Sequence, residues 1–110
     1  IMDTAGHDPS SVAGMAAGGC QVVVFTTGCG TPTGNPIVPV IKITGNRKTY
    51  HKMNVNMDFD TSPLIYGEKS GDQLSDELLQ LVVDVANGQQ PLAEQKGFIE
   101  ISIDRVSCFT

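Results

Sequence analysis

The sequence predicts an α/β fold: a layered, Rossmann-like sheet, mainly parallel, with flanking helices. Three observations carry this expectation. Cys20 to Phe25 is a near-continuous apolar run of strand length, the pattern of a strand in a parallel sheet buried on both faces. Residues 70–87 carry apolar side chains at helical spacing. Strand-like and helix-like stretches then alternate along the chain, which favours helices layered on a sheet.

The elements follow in order. Ile1-Met2-Asp3-Thr4 reads as the end of a strand, and a start of this kind leads us to expect a piece of a longer chain. Asp8-Pro9-Ser10-Ser11 is a helix start, with Asp8 as cap and Pro9 suited to the first turn. That helix should run to about Ala17, present Val12, Met15 and Ala16 on one face, and stop at Gly18-Gly19. A right-handed parallel crossover would join the strands on either side of it. The strand at 20–25 exits into a Gly/Thr/Pro loop, Thr26 to Asn35. A second strand spans Ile37 to Thr44; Pro39 within it predicts a sheet edge or a bulge, since proline cannot donate to a ladder.

Arg47 to Met53 is expected as a short helix. Met57-Asp58-Phe59-Asp60 alternates like a short strand with one wet face, and Pro63 to Gly67 reads as a turn. Ser70 and Gln73 form a capping box at the head of the clearest helix. Leu74, Leu78, Leu81, Val82 and Val85 make its apolar face, and Asn87-Gly88 ends it. Residues 89–96 form a polar connector. Phe98 to Ile103 alternates like a strand with Ile99, Ile101 and Ile103 on its apolar face.

Composition narrows the function classes. The 110 residues fit one α/β domain, 1–110. Mean hydropathy is −0.02, and 40% of residues are hydrophobic, values of a globular chain. Seven Lys and Arg stand against twelve Asp and Glu, giving a net charge of −5. Without a basic cluster, neither nucleic acid nor a membrane surface is an expected partner. Cys20, Cys29 and Cys108 are odd in number and form no C-x-x-C pair. They suit reduced thiols in a cytoplasmic protein.

Ligands of open α/β sheets bind beyond the carboxyl ends of the strands. The loop from Thr26 to Asn35 is therefore the candidate site. It carries three glycines and four threonine hydroxyls and no acidic residue. Its backbone N–H groups could cradle a carboxylate, and its hydroxyls suit a polyhydroxy acid. The plainer reading is an ordinary strand-exit loop. Neither the dinucleotide fingerprint nor the phosphate loop is present. Asp3, His7, Asp58 and Asp60 are candidate divalent-metal ligands by donor type, with solvated surface acids as the plainer reading of the two strand aspartates. Cys29 has no identifiable activating base, and His51 reads as a surface residue.

The runs Met2-Asp3-Thr4, Asp8-Pro9 and Gly18 to Gly28 resemble the C-terminal domain of the altronate dehydratase/galactarate dehydratase family. Gly30-Thr31-Pro32, Pro39 to Ile43, Asn46, Met57-Asp58, Gly67-Glu68 and Val85 to Gly88 continue the likeness in the same order. The resemblance implies a hydro-lyase that dehydrates a sugar acid to a 2-keto-3-deoxy product. It further implies a divalent metal, Fe2+ in most members, and a longer parent chain as partner. Substrate contacts would come from Thr26, Thr27, Gly28, Cys29, Gly30, Thr31 and Asn46. The family often has Arg where Cys29 stands, so substrate choice is open, and a sulfolactate sulfo-lyase branch belongs to the same family. The general base, and part of the metal shell, are expected upstream. Two other readings remain at this point: a scaffold or homo-oligomer domain, packing through helix 70–87 and strand 37–44, and a free-standing anion-binding module.

Overall fold

A computed structural model of the chain describes residues 3–103. Its sheet has three strands, β1 (Val23–Thr26), β2 (Val40–Thr44) and β3 (Phe59–Asp60), in the spatial order β1-β2-β3, both pairs parallel. Val23 lies opposite Val40 and Thr26 opposite Ile43, while Ile43 lies opposite Phe59. The α/β expectation therefore holds, with helices layered on the sheet.

The central strand organises both layers. Side chains alternate along a strand, so Val40 turns to one face and Ile41 and Ile43 to the other. On the first face Val40 and Val23 join Val38 and Val12 of α1 (Asp8–Ala17), with Met15, Ala16 and Phe25 against them. On the second, Ile41 and Ile43 meet Val85 of α4 (Gly71–Ala86), flanked by Leu78, Leu81 and Val82. The capping box of α4 forms as expected: the Ser70 hydroxyl accepts from Gln73 N at 3.2 Å, and Gln73 Oε1 accepts from Ser70 N at 3.0 Å. Gly88, at φ 107°, takes the left-handed turn after its end.

Several expectations are corrected. The strand expected at 20–25 begins only at Val23 and, among the described residues, is a sheet edge, not a strand buried on both faces; Val24 is 41% exposed. The strand for which Pro39 predicted an edge or a bulge is the central one, buried at all five positions. Pro39 precedes it, where its missing N–H costs the ladder nothing, and its carbonyl accepts from Val23 N at 3.0 Å. That strand is thus closed to pairing with a sister subunit. Asp8 is the first residue of α1, not its cap; His7 takes the cap position without a side-chain bond.

Two connectors contain single helical turns: α3 (Ser62–Ile65) within the expected turn, and α5 (Leu92–Gln95) within 89–96. Among the described residues, 98–103 pair with no strand, and Ile99, Ile101 and Ile103 face outward. The segment is held by other means. The Phe98 carbonyl lies so close to Gly34 that a side chain there would collide with it, and Ser102 Oγ is 2.8 Å from Ser10 Oγ on α1. Of the expected first strand, Ile1 and Met2 lie outside the described residues, and Asp3 and Thr4 are irregular.

The strand order makes a testable statement. Ile41→Ala should lower the unfolding free energy by about 2–5 kcal/mol, the range for a fully buried isoleucine. Val24→Ala on the edge strand should lower it by less than about 1.5 kcal/mol, because the residue is already partly solvated. Denaturant unfolding of both variants measures the difference.

Candidate functional site

The three parallel strands end on one side of the sheet, and a cavity of about 430 Å³ opens there. Thr26, Thr27 and Gly28 line it from the exit of β1. Thr44, Gly45 and Asn46 line it from the exit of β2, and Thr61 from the exit of β3. This is the position where open α/β sheets take ligands. Its wall is made of hydroxyls, one amide and backbone, with Ile43 at the base.

Side-chain bonds hold the rim. Thr27 N donates to Ile43 O at 3.0 Å, extending the ladder one residue past β1. Thr27 Oγ1 then accepts from Gly30 N at 3.0 Å, so its own O–H remains a donor. The Gly28 carbonyl accepts from Thr49 Oγ1 at 2.7 Å and from Asn46 Nδ2 at 3.4 Å. Asn46 is the junction. Its Oδ1 caps α2 (Arg47–Lys52) by accepting from Lys48 N and Thr49 N, and its own N donates to Thr44 Oγ1 at 3.1 Å. Asparagine suits this place because it caps with its oxygen and still donates from its nitrogen.

Gly30 has φ 83°, and a side chain there would strike the Met53 thioether. Cys29 lies exposed at the loop tip. Thr31 turns inward instead, buried with Oγ1 2.8 Å from Thr33 Oγ1. Of the expected substrate contacts, the structure brings Thr26, Thr27, Gly28 and Asn46 to one cavity and places Thr31 beneath the loop. Thr44, Gly45 and Thr61 were not legible as site residues, since only the strand order brings them together.

Lys42 was missed as well. It sits in the middle of β2 and is fully buried. Its Nζ donates to the carbonyls of Thr33 at 3.2 Å and Pro32 at 3.5 Å. Burial pushes its pKa below 10.5; Asp58 opposes that shift and Lys96 adds to it. Arg47, at the head of α2, is engaged on three sides: Nη2 donates to Glu68 at 2.6 Å, Nε donates to Ser62 Oγ at 3.2 Å, and the guanidinium lies 3.9 Å from the Tyr66 ring centre.

The expected metal donors do not converge. Asp58 accepts from Lys42 N through Oδ2 and from Leu92 N through Oδ1, both at 2.8 Å. Asp60 accepts from Ser62 N at 2.9 Å and from Ser62 Oγ at 3.0 Å. The two carboxylates thus bond different backbone segments, and both are half-buried. Asp3 and His7 are exposed ahead of α1. Among the described residues no three His, Cys, Asp or Glu side chains gather as a metal site. The donors present here therefore do not by themselves fit the implied metal.

Asp58→Asn tests this structural role. An amide cannot accept on both sides, so one backbone N–H loses its partner. The variant should unfold about 1–3 kcal/mol more easily, as read by thermal or denaturant unfolding.

The family described as D-galactarate/Altronate dehydratase, C-terminal, matches residues 1–108. Altronate dehydratase of Escherichia coli (strain K12) is 37% identical over 103 residues, covering 94% of this chain and 20% of that protein. Altronate dehydratase of Bacillus subtilis (strain 168) is 32% identical, with the same two coverages. The (2R)-sulfolactate sulfo-lyase subunit beta of Chromohalobacter salexigens is 34% identical over 106 residues, covering 96% of this chain and 27% of that protein. The chain thus spans about a fifth to a quarter of the length of these relatives. By the family match and by these identities, the chain belongs to the D-galactarate/altronate dehydratase C-terminal family.

Proposed function

We propose that this chain is the C-terminal domain of a lyase that dehydrates a sugar acid of the altronate or galactarate type, and that it contributes one wall of the substrate site. The observation that carries the reading is the cavity at the carboxyl ends of the three strands. Thr26, Thr27, Asn46 and Thr61 offer it hydroxyl and amide groups, with no carboxylate among its lining residues to repel an acid.

Dehydration of a hydroxy acid removes a proton beside the carboxylate and expels a hydroxyl group. This wall serves binding and orientation. Thr27 donates to a substrate oxygen through the O–H that Gly30 N leaves free, and Asn46 keeps the Gly28 carbonyl turned toward α2. The base and the implied divalent metal, Fe2+ in our reading, come from the remainder of the parent protein. No step is assigned to the metal here.

The remainder of the parent protein is also the partner we propose for the apolar surface of this domain. Among the described residues the open edge of β1, the exposed Ile37, and the outward Ile99, Ile101 and Ile103 are apolar surface available to it. Among the described residues no helix is long and apolar enough to cross a membrane. The free thiols of Cys20 and Cys29 support a cytoplasmic setting.

A second reading, the sulfo-lyase type, is supported by the 34% identity over 106 residues to the sulfo-lyase subunit. Cys29 stands exposed where the family often has Arg, so the loop offers no guanidinium to either kind of acid and substrate choice stays open.

Thr27→Val in the protein that carries this chain tests the site. Loss of one hydrogen bond to a charged substrate should reduce kcat/KM by roughly 10- to 100-fold. Altronate, galactarate and sulfolactate, assayed in parallel, separate the two readings. Unchanged kcat/KM for every acid that turns over would remove the cavity from the mechanism.

A further inference from the structure

We propose that Lys42 is the positioning residue of the substrate loop. From the middle of the central strand its ammonium group holds the carbonyls of Pro32 and Thr33, and so sets the path of the loop whose first residues, Thr26, Thr27 and Gly28, line the cavity. The inference rests on the reading of that cavity as the substrate site.

The argument starts from topology. β1 and β2 are parallel, and a parallel pair needs a long crossover, which usually contains a helix. Residues 27–39 contain none. Their backbone groups therefore cannot bond one another in helical order, although Thr31, Thr33, Gly34 and Asn35 are buried. Buried peptide groups need partners. Here side chains supply them. Asn35 Oδ1 accepts from Ile37 N at 2.9 Å and Val38 N at 3.3 Å, and Thr31 Oγ1 accepts from Thr33 N at 3.3 Å.

The two consecutive carbonyls of Pro32 and Thr33 are met by Lys42 Nζ. A lysine does this where a shorter donor would not. Its apolar stem runs through the core while its tip still carries donors at the far end. The position is an unfavourable one for a charge, fully buried. Methionine would fill the same volume without the desolvation cost. What methionine could not do is bridge the sheet to the crossover. At its other end the same residue donates its backbone N–H to Asp58 Oδ2 at 2.8 Å. Lys42 thus links Asp58, just ahead of β3, the central strand and the loop in one residue.

Lys42→Met in the protein that carries this chain tests the assignment, at a temperature where circular dichroism shows both forms folded. The expected result is a KM for the acid raised tenfold or more with kcat changed much less, because a displaced loop loses substrate contacts. Amide hydrogen exchange of residues 27–35 should quicken at least tenfold while α4 keeps its protection. A variant that is merely less stable would show unchanged KM and kcat at that temperature, which overturns the proposal. If Thr27→Val impairs the enzyme and Lys42→Met does not, Lys42 fails and the cavity stands; if neither does, the cavity itself fails. Should Lys42→Met not fold, the wild-type protein decides. Exchange of the Thr31–Asn35 amides as fast as in a free peptide overturns the proposal, and exchange at least a hundredfold slower supports it.

Discussion

Joining β1 to β2 in parallel without a helix between them is the constraint on which the rest of this structure depends. A crossover helix would satisfy its own backbone and cover the sheet with one apolar stripe. The irregular crossover does neither, so it is fixed by individual side chains reaching in from elsewhere. Asn46 and Thr49 hold Gly28 from α2, Asn35 holds its own exit, and Lys42 holds the middle from beneath. The cavity rim at Thr26–Gly28 is the first part of that crossover. Its position is therefore set by residues distributed over the sheet and α2, and a change at any of them reaches the rim through one or two bonds.

How much of this was legible in the sequence depended on whether the signal was local. The capping box at Ser70 and Gln73 and the apolar stripe of α4 are local, and both appear as read. The helix at Asp8–Ala17 was placed correctly for the same reason, although its cap was assigned one residue late. The strands were found but their order was exchanged. An apolar run shows that a strand has apolar faces, not how many neighbours it has, and Val24 is left half-covered at the edge. Pro39 signals a missing donor, and its place just ahead of Val40 makes that harmless. Alternation at 98–103 was real, but alternation cannot name a partner, and the isoleucines face outward.

The site divided in the same way. Thr26 to Gly28 could be proposed from glycine and threonine content beside a strand end. Thr44, Gly45 and Thr61 could not, because their meeting with that loop is a property of the sheet order. Asp58 and Asp60 looked alike in sequence, two residues apart on one strand. In space each accepts from a different set of backbone donors, and their function is to tie α5 and α3 to the sheet. A lysine inside an apolar strand is a sequence signal in its own right. Lys42, set among Val40, Ile41 and Ile43, could have been marked as a buried cation needing acceptors.

Electrostatics then limits what this domain does alone. The cavity is lined by neutral groups. Arg47 follows its rim residue Asn46 in sequence, and that guanidinium is already bonded to Glu68 and Ser62 and stacked on Tyr66. An arginine so engaged keeps few donors for a bidentate grip on a carboxylate. Lys42, the buried cation, directs its donors to the underside of the loop. In the proposed reading, the hydroxyl-lined pocket orients the polyol part of a sugar acid, and the charge that fixes the carboxylate comes from another part of the protein. The open β1 edge and the outward isoleucines supply apolar surface for that approach. In this view substrate selectivity is shared: this domain reads hydroxyl positions, and the opposing wall, brought to it by burial of that apolar surface, reads the acid.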